Sequence, residues 1–133
     1  FGKLATAIGV FTMGERDPSL FSIAGHISQD ASLEEAEAAI WEEIDHLKTE
    51  LVAESELEKV KNQLNANNEF AEMELLNRAI GLAYHEINGD AETINTEMEE
   101  YMKVTPEDLK QLVNASVTKD NSSTLIYKRE TNA

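Results

Sequence analysis

Apolar positions near the start of the chain alternate with small and polar ones, then change period. Residues 3–13, Lys-Leu-Ala-Thr-Ala-Ile-Gly-Val-Phe-Thr-Met, place Leu4, Ile8 and Val10 on one face of an extended segment and Phe11 and Met13 on the other. Both faces are small or apolar, which predicts a strand covered on both sides. Gly14-Glu15-Arg16-Asp17-Pro18 has turn chemistry. Residues 19–28 predict a second strand with Phe21, Ile23 and Ile27 on one face. Two strands a short turn apart predict an antiparallel hairpin.

From Ser32 the period becomes helical. Leu33, Ala36, Ile40, Ile44, Leu47 and Leu51 form a stripe, and Ser32 with Glu35 has capping-box spacing. Ser55 and Glu58 repeat the spacing, which predicts a new helix there with Leu57, Val60 and Leu64 inward. After Asn65-Ala66-Asn67-Asn68 the stripe resumes out of phase at Phe70, Met73, Leu76, Ile80, Ala83, Tyr84 and Ile87. Asn is a poor helix former, so a kink or break is expected at those residues. Gly89 suits a C-terminal cap. A short helix is predicted over 91–102, with Ile94, Met98 and Tyr101 inward. Val104-Thr105-Pro106-Glu107-Asp108 then gives a helix start: Thr as N-cap, Pro in the first position, acids beside the positive dipole end. Leu109, Leu112, Val113 and Val117 are expected to face the core. Thr124-Leu125-Ile126-Tyr127-Lys128 predicts a last strand, and residues 129–133 a frayed tail. Strand, strand, helices, strand is an α+β order: an antiparallel sheet of hairpin plus C-terminal strand, with helices packed on one face.

The chain's 133 residues suffice for one domain with a hydrophobic core, and residues 1–133 read as a single unit. It opens at Phe1 without an initiator Met, which points to a processed product or a piece of a longer protein. The first thirty residues carry neither the basic start nor the apolar run of a signal peptide. Acidic residues number 26 against 11 basic ones, for a net charge of -15. Nucleic-acid backbones and anionic membrane surfaces would repel such a chain, whereas basic peptides would be attracted. No stretch approaches the length of a membrane helix. The absence of Cys excludes disulfides, thiolate catalysis and Cys-ligated zinc.

Candidate chemistry is sparse. His26 falls in the second predicted strand, on the face of Leu20 and Ala24. His46 has Glu42 and Glu50 four residues to either side, a spacing that puts three ligand types on one helical face; the simpler reading is a solvated face. His85-Glu86 begins like His-Glu-x-x-His, yet the second His would fall on Gly89, and the inverted His-x-x-Glu-His is absent throughout. Without two imidazoles on one helix face a catalytic zinc has no anchor. Neither Gly-x-Ser-x-Gly nor a Gly-rich phosphate loop occurs.

A series of motifs runs along the chain in order: Asp17-Pro18-Ser19-Leu20-Phe21-Ser22-Ile23, Ser32-Leu33-Glu34-Glu35-Ala36, Ser55 to Leu64, Asn77-Arg78-Ala79, Gly89-Asp90 and Val104 to Leu109. Over roughly residues 1–128 the sequence resembles the C-terminal-type, non-zinc domain of pitrilysin/insulinase-like zinc metallopeptidases, the group that includes the mitochondrial processing peptidase. The resemblance implies homologous α+β domains closing a chamber around a peptide, with zinc held by the inverted motif on another domain or subunit. This chain then lacks a first strand and helix of its domain and is inactive alone. In active relatives a segment of the type Leu-Arg-Glu-Lys-x-Gly-Leu-Ala-Tyr steadies the tetrahedral intermediate. Gly2-Lys3-Leu4-Ala5-Thr6 matches its end, with Thr6 at the Tyr position, so the resemblance makes Thr6 and Lys3 the substrate-contacting candidates. Many relatives sit in the bacterial periplasm or cell envelope; the sequence itself leaves the compartment open.

Two functional classes follow: a substrate-enclosing, non-catalytic domain of a zinc metalloendopeptidase, or a structural and assembly module of the same fold without protease activity. A helical interaction domain is a third, but the stripes lose heptad register across Asn65–Asn68, which argues against a coiled coil.

Overall fold

The alternating segments form the predicted hairpin, and among the described residues the helical stripes form five helices. The structure is a computed structural model that describes residues 4–12 and 19–127. Strand β1 (Ala5–Thr12) pairs antiparallel with β2 (Phe21–Ile27). Then come α1 (Leu33–Thr49), α2 (Glu54–Glu72), α3 (Leu75–Asn88), a 3-10 turn at Ala91–Asn95, α4 (Glu97–Lys103), α5 (Pro106–Ser116) and a 3-10 turn at Lys119–Asn121. The expected turn at 14–18 and tail at 129–133 lie outside the described residues.

In β1 and β2 the register places Ile8 opposite Gly25, Val10 opposite Ile23 and Thr12 opposite Phe21. This face turns toward α1 and α5 across a mainly apolar cleft of about 300 Å³, whose far wall includes Ile40, Glu43, Ile44, Leu47, Val113 and Val117. Gly25 sits at a close approach of the strands, since a Cβ there would lie 3.1 Å from the Ala7 carbonyl oxygen. The other face carries Ala7, Gly9, Phe11, Ser22, Ala24 and His26. Phe11 is half exposed, and a Cβ at Gly9 would meet open space. Val10 and Phe21 on the cleft side are exposed as well, so the expected cover on both sides is complete on neither among the described residues.

Helix starts follow local chemistry. Ser32 Oγ accepts from the Glu35 N–H at 3.0 Å to begin α1. Thr105 and Asp108 form a full capping box at α5, with Pro106 in the first turn. At α2 the expectation needs correction: its N-cap is Ala53, which offers no side-chain oxygen, and Ser55 lies inside the first turn. The Asn run does not break α2 either. Asn65 donates to Glu69 Oε1 at 3.0 Å, a one-turn pair that supports the helix. The break falls later, at Met73–Glu74, where Asn77 Nδ2 donates to the Ala71 carbonyl at 3.2 Å. Gly89 ends α3 with φ 147°, a backbone state that side chains resist.

The expected C-terminal strand is absent over Thr124–Tyr127; Lys128 lies outside the described residues. Leu125 and Tyr127 are almost fully exposed, and among the described residues the sheet has two strands only. A strand without a neighbour has nowhere to place its ladder hydrogen bonds. Among the described residues buried side chains are correspondingly few: Ala36, Ile44 and Leu57. The accessible surface is 11209 Å², against about 7,000 Å² for a compact monomer of this mass. Leu112, expected in the core, is mostly exposed.

Candidate functional site

Thr6 stands at a break in the ladder. Ala5 pairs with Ile27 and Ala7 with His26, so Thr6 is the extra residue of a β-bulge. Its hydroxyl donates to the His26 carbonyl at 3.1 Å, which closes the bulge and leaves the oxygen lone pairs free to accept. Bulges re-aim side chains and interrupt pairing, and they occur often beside functional sites. Lys3 lies outside the described residues. Along the outer edges of β1 and β2 no further strand pairs among the described residues.

The three histidines stand on three different elements. His26 is exposed on β2 and His46 exposed on α1. Glu50 lies beyond the end of α1 with an extended backbone, its N–H bonded to the His46 carbonyl, so the helical face supposed for Glu42, His46 and Glu50 stops at Thr49. Both ring nitrogens of His85 are engaged: Nδ1 lies 2.9 Å from Thr93 Oγ1 and Nε2 lies 3.4 Å from Glu97 Oε2. His85 therefore ties α3 to the following turn and to α4. A zinc site needs several such ligands converging on one point. These donors do not fit that requirement, and among the described residues no group of three or more His, Asp or Glu is gathered to hold a metal ion.

Glu97 also accepts from the Tyr101 hydroxyl at 3.2 Å. Partial burial, then the Glu97 carboxylate, holds the Tyr101 phenol above its ordinary value. Hydrogen bonds from Thr105 hold Asp108 below its ordinary value, and the Glu100 carboxylate raises Lys103. All three groups belong to α4, α5 and their junction, and none lies on the hairpin.

A shallow groove of about 730 Å³ runs along the outer side of α1, lined by Glu34, Glu37, Glu42, Asp45, His46 and Trp41 among others. Lys119 and Lys48 approach the Trp41 ring, at 5.5 and 6.0 Å from its centroid, so two cations are held over one aromatic ring. Sequence reasoning passed over Trp41, because Lys119 is distant in the chain. It also missed the long-range caps. Lys61 Nζ donates to the Met102 and Val104 carbonyls at 2.8 and 2.6 Å. Lys110 Nζ donates to the Thr49 carbonyl at 2.7 Å, and Asn114 Nδ2 to the Lys48 carbonyl at 3.1 Å. These bonds close the exposed ends of α4 and α1, and no local spacing announces them. No described helix is long and apolar enough to cross a membrane.

The family model described as the peptidase M16 inactive domain matches residues 2–64, which span the hairpin, α1 and the first half of α2. No curated protein matches the sequence. Among solved structures, the inactive peptidase domain of a candidate zinc protease from Bordetella parapertussis aligns with a TM-score of 0.83 at 16% identity, covering 99% of this chain and 72% of that one. A protease from Helicobacter pylori aligns with a TM-score of 0.78 at 18% identity, covering 86% of this chain and 28% of that one. A candidate zinc protease from Bordetella pertussis Tohama I aligns with a TM-score of 0.77 at 17% identity, covering 90% and 67%. At these identities the likeness is one of fold. What the chain shares with them is the α+β fold of an antiparallel hairpin and packed helices. The sequence match to the peptidase M16 inactive domain is carried by residues 2–64.

Proposed function

We propose that this chain is the non-catalytic, substrate-enclosing domain of a zinc-dependent metalloendopeptidase. Zinc and the hydrolytic groups belong to a homologous domain or subunit, and residues 1–133 act as one unit that walls and holds the peptide. The observation that carries this reading is the inactive-domain match over the hairpin itself. The unpaired outer edges of β1 and β2 support it, since an extended peptide gains main-chain hydrogen bonds by adding to such an edge. The net charge of -15 favours basic peptides. Thr6, at the bulge, and Lys3, just before β1, are the contacts assigned to the substrate; Thr6 serves as an acceptor, because its proton is already given to His26.

The test is complementation. The zinc-bearing companion is assayed for peptide cleavage with and without this chain, and with its Thr6→Val variant. The expected result is a strong rise in kcat/KM on adding the chain and a weaker rise with Thr6→Val. A companion that cleaves equally well alone removes the enclosing role. That result leaves the assembly-module alternative, which the bare apolar surface supports.

A further inference from the structure

Helix α3 turns its apolar side away from the protein. Leu76, Ile80, Ala83 and Ile87 recur at four- and three-residue steps and share one face. The opposite face is the one that packs: a Cβ on Gly81 would lie 3.1 Å from Ile94 Cδ1, and His85 bonds Thr93 in the same turn. The orientation of α3 is therefore fixed by contacts, and its stripe points outward because of them. Phe70, Met73, Leu76, Ile80 and Ile87 are each between 59% and 78% exposed. An amphipathic helix ordinarily buries such a face, and a contiguous exposed apolar patch marks an interaction surface.

The charges along this stretch indicate what covers it. Between residues 69 and 87 lie Glu69, Glu72, Glu74 and Glu86 against a single Arg78. A second copy would set four acids against four acids, in chains that each carry a net charge of -15. We infer that the α3 stripe is a docking surface for an amphipathic helix of another polypeptide, apolar on one face and edged with Lys or Arg. Stripe and helix meet through side chains one turn apart, and the charges beside them fix orientation and exclude acidic partners. This surface lies away from the hairpin and does not depend on any peptide held there.

The test uses the full 133-residue chain and two labelled synthetic helices of Leu and Lys, or of Leu and Glu, read by fluorescence anisotropy. The Leu/Lys helix is expected to bind and the Leu/Glu helix to bind at least tenfold more weakly. Ile80→Glu separates docking from bulk charge attraction. It adds a negative charge, so simple attraction would strengthen binding, whereas loss of the apolar seat weakens it at least tenfold. Ile87→Glu is expected to do the same, and Leu20→Ser, an exposed apolar residue elsewhere, to change nothing. Unchanged circular dichroism confirms that the variants fold. Equal or tighter binding by both Glu variants, equal binding of the two helices, or a dimer of the chain that Ile80→Glu dissociates in sedimentation each overturns the inference.

Discussion

Thr105 and Asp108 satisfy each other at the start of α5. The Thr105 hydroxyl accepts from the Asp108 N–H at 3.2 Å, and Asp108 Oδ2 accepts from the Thr105 N–H at 2.9 Å. Thr105→Ala is expected to cost about 1 kcal/mol, read as a lower Tm. The pH dependence follows from the lowered carboxyl value. A carboxylate depressed in the folded state binds its proton more readily when unfolded, so its stabilisation is present above the ordinary value of 3.8 and is lost as pH falls through the lower folded value. Wild type is therefore expected to be more stable than Asp108→Asn near neutral pH, with the gap closing in strong acid. A gap that is constant with pH removes the charge from the explanation. At this scale sequence was a good guide wherever the chemistry is local. Thr105, Pro106 and Gly89 all take their expected roles. Ser55 does not: α2 starts from Ala53, which carries no capping side chain, and Ser55 lies inside the first turn, where its hydroxyl is past the cap position.

The elements are held to one another by lysines that sequence patterns do not single out. Lys61 on α2 reaches the last carbonyls of α4, and Lys110 on α5 reaches the end of α1. A cation at a helix C-terminus also meets the negative end of its dipole. Lys61→Met keeps the side chain's length and removes the charge, and is expected to lower stability by about 1–2 kcal/mol in denaturant unfolding. No change would mean that water replaces the contact at no cost. Period changes and end signals made the hairpin and most helices legible. The position of the α2–α3 break was not, because Asn propensity is weak beside the Asn65–Glu69 pair and the cap given by Asn77. The last strand misled for another reason. Thr124–Tyr127 has strand composition, but a strand exists only where a neighbour completes its ladder. The Thr6 bulge was equally hidden, since pairing register is a property of two segments.

The whole molecule buries little and exposes much. Leu57 is among its few buried side chains, so Leu57→Ala is expected to cost about 2–5 kcal/mol, with loss of cooperative melting by circular dichroism. A small change would place the core elsewhere. Apolar side chains stay exposed on α3 and along the hairpin cleft, which is the surface the proposed docking requires. The chain aligns with 72% of the Bordetella parapertussis domain and with 28% of the Helicobacter pylori protease, so those proteins carry further structure beyond the shared fold. The central claim is chemical: His26, His46 and His85 stand on three different elements, and among the described residues no three metal-ligating side chains gather to seat a hydrolytic metal. The most direct measurement incubates the isolated chain with stoichiometric zinc, titrates binding calorimetrically and follows a quenched peptide for cleavage. The account predicts no tight stoichiometric site and no turnover. Tight one-to-one binding accompanied by chelator-sensitive hydrolysis would contradict it.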